Sequence, residues 1–328
     1  MTDTPNILLI RLKSIGDVVL TLPAVNLVRD NFPSARIRFL TSKENVAIVS
    51  GCAAVDEIIA LDRAAYRRKD LKTICAGTFR LVRRLRRERF SLAVDLQGYG
   101  ETALLTWLTR APQRWGSVYR RGRRWAYTRG VTRIETLHPV EWNRRLLTEC
   151  GLKPMPVRNE FVLQEGEVES ARRFLAEHGG DPAKPILYLQ AFTSSPQKNW
   201  PMESYLALAN HWRTRGVQVV FAGGPANLAA LEPAQRAGFV VAAGLPTLTV
   251  AGLMKLSTLI VGGDTGFLHL AVALGKRVLM LMRMSGAGSP IPYGHPDWVM
   301  APPGGSPMDA IGLEEVVRAS ANAFLVKA

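Results

Sequence analysis

Asp264, Thr265, Gly266 and His269 follow an apolar run that ends in two glycines, within VGGDTGFLHLAVALGKRVLML at residues 261–281. Four such residues at the start of a helix otherwise built for burial could do chemistry on an anion. The first N–H groups of a helix lack partners within it, so Thr265 and Gly266 offer backbone donors to a phosphate. Gly266 permits close approach of the backbone. His269 lies one turn further on the same face as Thr265 and can donate to a phosphate oxygen. Asp264 repels phosphate but accepts hydrogen bonds from hydroxyls such as those of a sugar. The alternative for the group is a helix capped by Asp264 or Thr265, with a structural histidine.

Two further loops carry similar chemistry. TSSPQK offers the hydroxyls of Thr193, Ser194 and Ser195 and the point charge of Lys198, a set suited to a diphosphate. It lacks the spacing of a P-loop, so phosphoryl transfer from ATP is not indicated. RLKSIGD has one glycine and no G-x-G-x-x-G, which disfavours a dinucleotide redox cofactor. Asp17 falls in the first turn of the helix after it, where it could serve as a cap or as a base. The helix dipole and Lys13 favour its ionised form. An ionised carboxylate still takes a proton from an attacking hydroxyl if transfer is late.

The elements that must position these residues alternate. NILLIRL reads as a strand, VVLTLPAVNLVRDNF as one helix ended by Pro33, and RIRFL, EIIAL and SLAVDL as further buried strands. FRLVRRLRRERF places Phe79, Val82, Leu85 and Phe90 along one side of a basic amphipathic helix. The second half repeats the grammar with PILYLQ, VQVVFAGG, FVVAAG, TLIVGG and RVLMLM, with helical patterns between. Apolar strands alternating with helices mean parallel sheets covered on both faces. The predicted fold is α/β, two doubly wound Rossmann-like domains facing a central cleft. Their expected bounds are 1–155 and 165–310, with a helix at 311–328 packing back on the first domain. Ligands bind at the carboxyl ends of strands in such folds, where all these loops fall.

Composition narrows the partners. The chain has 328 residues, 47% of them hydrophobic, enough for two cores. Cys52, Cys75 and Cys150 show no metal spacing, so a reduced cytosolic protein is expected. The N-terminus has no basic n-region, and no run approaches the ~18 apolar residues of a membrane span. Net charge is +15, and residues 63–145 alone hold 21 Lys or Arg against 6 Asp or Glu. An acidic partner is expected for the first half: nucleic acid, phosphorylated lipid or an anionic sugar.

At the level of whole motifs, the chain resembles the bacterial ADP-heptose:lipopolysaccharide heptosyltransferases, inverting enzymes with the GT-B fold. ILLIRLKSIGDVVLTLPAVNLVRDNFP is similar to the family's first motif, AVDLQGYGETALLTWLTRAPQRWG to its middle segment, and HPVEWNRRLL to a His-Ala-Val-x-x-Asn-Arg stretch. GGDTGFLHLAVALGKRV is the most specific block. The resemblance implies Asp17 as general base, and Thr193, Ser194, Ser195, Lys198, Thr265, Gly266 and His269 as holders of the donor diphosphate. Asp264 would bind donor sugar hydroxyls. Two positions depart from the pattern: Asn227 stands where members often carry a ribose-binding Glu, and Pro139 stands where they tend to have Ala.

The partners implied are ADP-heptose and the anionic lipopolysaccharide core, gripped by Lys13, Arg83, Arg84, Arg86 and Arg87, with peripheral contact at the cytoplasmic face of the inner membrane. No cofactor and no metal are implied: the sequence contains no D-x-D, and its histidines lack ligand spacing. A monomer is expected. Two competing readings remain, a nucleotide-sugar epimerase of the same fold and a basic nucleic-acid-binding protein. Against the second, the arginines do not alternate with a stacking aromatic platform.

Overall fold

The computed structural model describes residues 4–63 and 71–324. It divides into two compact units, Met1–Glu160 and Phe161–Ala328.

The first unit runs β1 (Asn6–Ile10), α1 (Ile15–Val19), α2 (Leu22–Asn31), β2 (Arg36–Ser42), α3 (Val46–Ser50), β3 (Glu57–Leu61), α4 (Leu71–Arg87), β4 (Leu92–Asp95), α5 (Gly100–Leu108), β5 (Gln113–Val118), β6 (Arg129–Thr132) and α6 (Pro139–Glu149). Its six strands are ordered β3-β2-β1-β4-β5-β6 and all pair in parallel. The second unit contains α7 (Glu165–Glu177), β7 (Ile186–Gln190), α8 (Met202–Arg213), β8 (Gln218–Gly223), α9 (Leu228–Arg236), β9 (Val240–Ala243), α10 (Thr247–Leu256), β10 (Leu259–Gly263), α11 (Gly266–Ala273), β11 (Val278–Leu281), β12 (Val299–Met300) and α12 (Leu313–Phe324). Its sheet, β12-β11-β10-β7-β8-β9, repeats the first topology.

The central strands are apolar because both faces are covered; β4, β7, β10 and β11 are buried along their whole length. In each sheet the strand order reverses once, between β1 and β4 and between β7 and β10. Connections leave the sheet in opposite directions there, and the carboxyl ends open a crevice. The loops after β1, β7 and β10 carry the residues singled out by their chemistry.

The elements differ from the sequence reading at four points. The first helix is two helices, broken at Leu20–Thr21. Pro23 cannot donate to the carbonyl of Val19 and its ring collides with it, so the helix restarts. Among the described side chains of α4 the buried one is Leu85, with Leu81 partly buried beside it, while Phe79 is 68% exposed. β5, β6 and β12 escape the pattern because QRWGSV and RGVT mix polar residues with glycine and β12 has two residues. The C-terminal helix packs on the second unit's own core: Val316 is buried there, and the indole of Trp212 donates to Ser320 Oγ at 3.0 Å. No helix among the described residues is long and apolar enough to cross a membrane.

Candidate active site

In the first unit, Asp17 is the third residue of α1 rather than its cap, a position taken by Ser14. Its two oxygens face different partners. Oδ2 accepts from the Ser14 N–H at 2.9 Å and the Ser14 hydroxyl at 3.2 Å, and Oδ1 pairs with Arg11 Nη2 at 2.7 Å. The carboxylate is still 41% exposed, so it can reach a substrate. Arg11 is buried, and its Nη1 donates to the carbonyl of Leu96 at 2.5 Å.

Gln97, 1% exposed, accepts at Oε1 from the N–H of Leu12 at 2.8 Å and of Lys13 at 3.2 Å. The loop that bears Asp17 therefore hangs from the end of β4 as well as from β1. Beneath it lies Asp95, fully buried, which accepts from the N–H groups of Gln97 and Gly98 at 2.9 and 2.8 Å and from the Tyr127 hydroxyl at 2.7 Å. Burial pushes the Asp95 carboxyl above the usual carboxylate range, against the pull of these donors. Gly98 must be glycine: its φ is +73°, and a Cβ there would fall 2.2 Å from the Ser117 carbonyl.

Beside this loop is a cavity of about 460 Å³ lined by Lys13, Ser14, Ile15, Ser42, Glu44, Asn45 and Arg63. Arg63 Nη2 sits 3.1 Å from Glu101 Oε2, so the other carboxylate near this loop, on the first turn of α5, is already paired. Arg83, Arg84, Arg86 and Arg87 are not brought to Asp17. α4 runs against the strand direction, so its last turn reaches the amino edge of the sheet. Arg84 bonds Glu57, the first residue of β3, at 2.6 Å, and the next residue after the helix, Glu88, accepts at its carbonyl from Asn6, the first residue of β1, at 2.6 Å. A five-residue strand separates that edge from the Asp17 loop, roughly 17 Å.

In the second unit, Lys198 Nζ lies 3.2 Å from Asp264 Oδ2, joining the loops after β7 and β10. His269 Nε2 stands 3.6 Å from Asp264 Oδ1, an electrostatic contact too long for a hydrogen bond. Burial pushes the Asp264 carboxyl up, but His269 and then Lys198 outweigh it and hold the group below the ordinary carboxylate range. Thr265 occupies the N-cap of α11, yet its side chain makes no capping bond. Its Oγ1 is buried without a hydrogen-bond partner, and so is Nδ1 of His269. The helix start therefore contains neither a side-chain capping bond nor a fully satisfied histidine.

Thr193 is committed elsewhere. Its hydroxyl lies 2.7 Å from the Ser195 carbonyl and 2.9 Å from Asn199 Oδ1, shaping the loop. Gly263 is required beneath it, since a Cβ there would sit 2.4 Å from Thr193 Cγ2. That leaves Ser194, Ser195, Lys198 and the start of α11 to meet a ligand. Asn227 Oδ1 accepts the Gly224 N–H at 3.0 Å, so its NH₂ is what it can present.

Residues 78–300 match the profile of glycosyltransferase family 9 (heptosyltransferase). The chain belongs to that family. This family 9 chain is 30% identical over 308 residues to lipopolysaccharide heptosyltransferase 1 of Pseudomonas aeruginosa, covering 88% of this chain and 81% of that one. Among solved structures it resembles a family 9 glycosyltransferase of Veillonella parvula, with TM-score 0.87, 19% identity and coverage of 99% and 98%. It also resembles an E. coli heptosyltransferase with ADP-2-deoxy-2-fluoro heptose, with TM-score 0.77, 20% identity and coverage of 97% and 99%. The fold of the family 9 chain is thus GT-B, two parallel six-stranded sheets with helices on their faces.

Three residues of the site have no chemical signature in the sequence. Arg11 and Gln97 fix Asp17, and Asn199 fixes Thr193. A polar residue just past the end of an apolar strand, as in ILLIR and AVDLQ, is the one signal that marks Arg11 and Gln97. Pro139, unusual against the family pattern, has a local reason: it is the first residue of α6, where its missing N–H costs nothing.

Proposed function

We propose that this family 9 chain is an inverting, metal-independent heptosyltransferase that moves heptose from ADP-heptose to the inner core of lipopolysaccharide. It would act as a monomer at the cytoplasmic face of the inner membrane. The observation that carries the reading is the start of α11. Lys198, Asp264 and His269 converge there, and two buried polar atoms, Thr265 Oγ1 and His269 Nδ1, await a partner. A diphosphate beside a polyhydroxylated sugar satisfies that set. Its oxygens take Lys198, Thr265 and the helix N–H groups, with Ser194 and Ser195 alongside, and the sugar hydroxyls donate to Asp264.

Negative charge grows on the leaving diphosphate as the glycosidic bond breaks. A cation and fixed backbone dipoles stabilise that charge in the role a metal fills in other transferases. No group of three or more His, Cys, Asp or Glu with metal-binding geometry occurs among the described residues. On the acceptor side, Asp17 takes the proton of the attacking hydroxyl. Its ion pair with Arg11 and its bond from Ser14 hold it in place without burying it. Lys13 and Arg63, lining the adjacent cavity, suit a Kdo carboxylate or a phosphate of the acceptor. Arg83, Arg84, Arg86 and Arg87 are then assigned to the acceptor's lipid surroundings rather than to its reacting end. Membership of a transferase family favours transfer over donor-only epimerisation.

The test is turnover of ADP-heptose with a Kdo-lipid A acceptor, in chelator. Anomerically inverted product formed at an unchanged rate in EDTA is the expected result. Activity lost in EDTA and restored by Mg²⁺ or Mn²⁺ would overturn the metal-independent mechanism. Donor consumed without acceptor would favour the epimerase.

A further inference from the structure

All five large aromatic residues that are strongly exposed among the described residues lie between positions 79 and 125: Phe79 at 68%, Tyr99 at 44%, Trp107 at 47%, Tyr119 at 36% and Trp125 at 56%. Scattered exposed apolar side chains are ordinary. These are not scattered. Trp107, near the end of α5, and Trp125, in the turn before β6, meet edge to face with centroids 5.7 Å apart, both open to solvent. Leu104, 45% exposed, is three residues before Trp107 and shares its stripe. On the neighbouring α4, Phe79, Arg83 and Arg86 follow one another at helical spacing, and Arg86 Nε donates to the carbonyl of Leu108 at 3.2 Å, which ties that stripe to the end of α5.

The charge of this surface is one-sided. Residues 79–125 hold 12 arginines against 3 acidic residues. Of these acids Asp95 is buried, Glu88 pairs with Arg38 and Glu101 with Arg63. Arg80 and Arg83 on α4, Arg110 just past α5, and Arg121 and Arg124 in the turn that carries Trp125 are all exposed.

We infer that the outer face formed by α4, α5 and the turn carrying Trp125 is a docking surface for an anionic phospholipid bilayer. Indole rings favour the headgroup region, where one edge is dry and the N–H is wet. Arginines beside them meet lipid phosphates, and α5 lies along the surface with its apolar stripe inward. A nucleic acid would use the arginines but has no need of Leu104 or Phe79, and α4 and α5 offer no stacking sheet. The inference extends the proposed function, whose acceptor is a lipid, and rests on that reading only for its purpose. Tyr99, the N-cap of α5, packs on Tyr119 at 5.7 Å and has Lys13 Nζ 6.0 Å above its ring. The Asp17 loop thus stands about one α5 length, ~13 Å, from the tryptophan pair, which suits chemistry on sugars close to a membrane.

The experiment is sedimentation of the full chain with vesicles of equimolar phosphatidylglycerol and phosphatidylcholine, against phosphatidylcholine alone, without either substrate. Binding to the anionic vesicles that weakens at high salt is expected. Trp107→Ser with Trp125→Ser should abolish it, and Arg121→Gln with Arg124→Gln should each weaken partitioning about fivefold. Turnover on a deacylated, soluble acceptor should be unchanged in both double variants, which separates this surface from the transferase site. The arginine pair stands as an independent test if the tryptophan pair fails to fold. Equal binding to the two vesicle types, or wild-type binding by the tryptophan variant, overturns the inference. So does a dimer in light scattering that the tryptophan variant loses, or polyanion binding that equals vesicle binding and survives Trp→Ser.

Discussion

Asp17→Asn should separate chemistry from binding. The amide has the carboxylate's shape but cannot accept a proton at neutral pH. The environment limits how it can sit. Arg11 has only donors, so the amide oxygen must face Nη2, now 2.7 Å from Oδ1. The NH₂ then faces the Ser14 N–H, donor against donor, where Oδ2 now accepts at 2.9 Å. Either rotamer loses one charge-assisted bond. That site is 41% exposed, so water replaces the bond and the stability cost is about 1 kcal/mol or less. Loss of a general base costs ~10² to 10⁴ in rate, about 3–5 kcal/mol in the barrier. The rate effect thus exceeds the folding effect several-fold. Three measurements check this: kcat with saturating substrates, donor affinity by calorimetry, and the thermal midpoint. The expected variant is folded, binds ADP-heptose as wild type does, and turns over at least a hundredfold more slowly. Turnover within a few-fold of wild type would refute the assignment, and Glu101 would be examined next, freed from Arg63.

Gln97→Leu should lower kcat with little change in donor KM, because it strips the acceptor from two loop N–H groups and lets Asp17 drift; Gln97→Glu, which can still accept both, should restore most of the rate. Equal damage by Glu and Leu would mean that Gln97 only fills space. Lys198→Ala should cost about 3–4 kcal/mol in the barrier and weaken donor binding, with His269→Ala weaker in the same direction; unchanged kinetics in both would return the start of α11 to a structural role. Glu57→Gln should destabilise the fold at pH 7. Its carboxyl is held below the ordinary range chiefly by the hydrogen bond from Arg38, against burial, so its contribution is present above about pH 5 and fades as pH falls through the lowered value. The gap in thermal midpoint between the variant and wild type should therefore close toward about pH 3, and a gap equal at pH 7 and pH 3 would contradict the linkage.

The sequence by itself determined the α/β class, the strands along the core of both sheets, and the loops where chemistry belongs. Buried parallel strands must be apolar throughout, and residues that bind ligands must follow them. NILLI, ILYLQ and LIVGG announce both at once. Local pattern does not carry pairing or direction. Arg11 and Gln97 reach across 85 residues because β1 lies beside β4, a fact of sheet order. The arginines of α4 looked like part of the site only while the direction of their helix was unknown, and antiparallel travel put them at the other edge. Phe79 has the spacing of a buried side chain, yet Leu81 and Leu85 face the sheet, because a helix with apolar residues on two stripes can bury only the one its neighbours meet. Thr193 was one hydroxyl among three until the turn closed and Asn199 claimed it. In each case residue type and spacing set what a side chain can do, and the packing of distant strands and helices set what it faces.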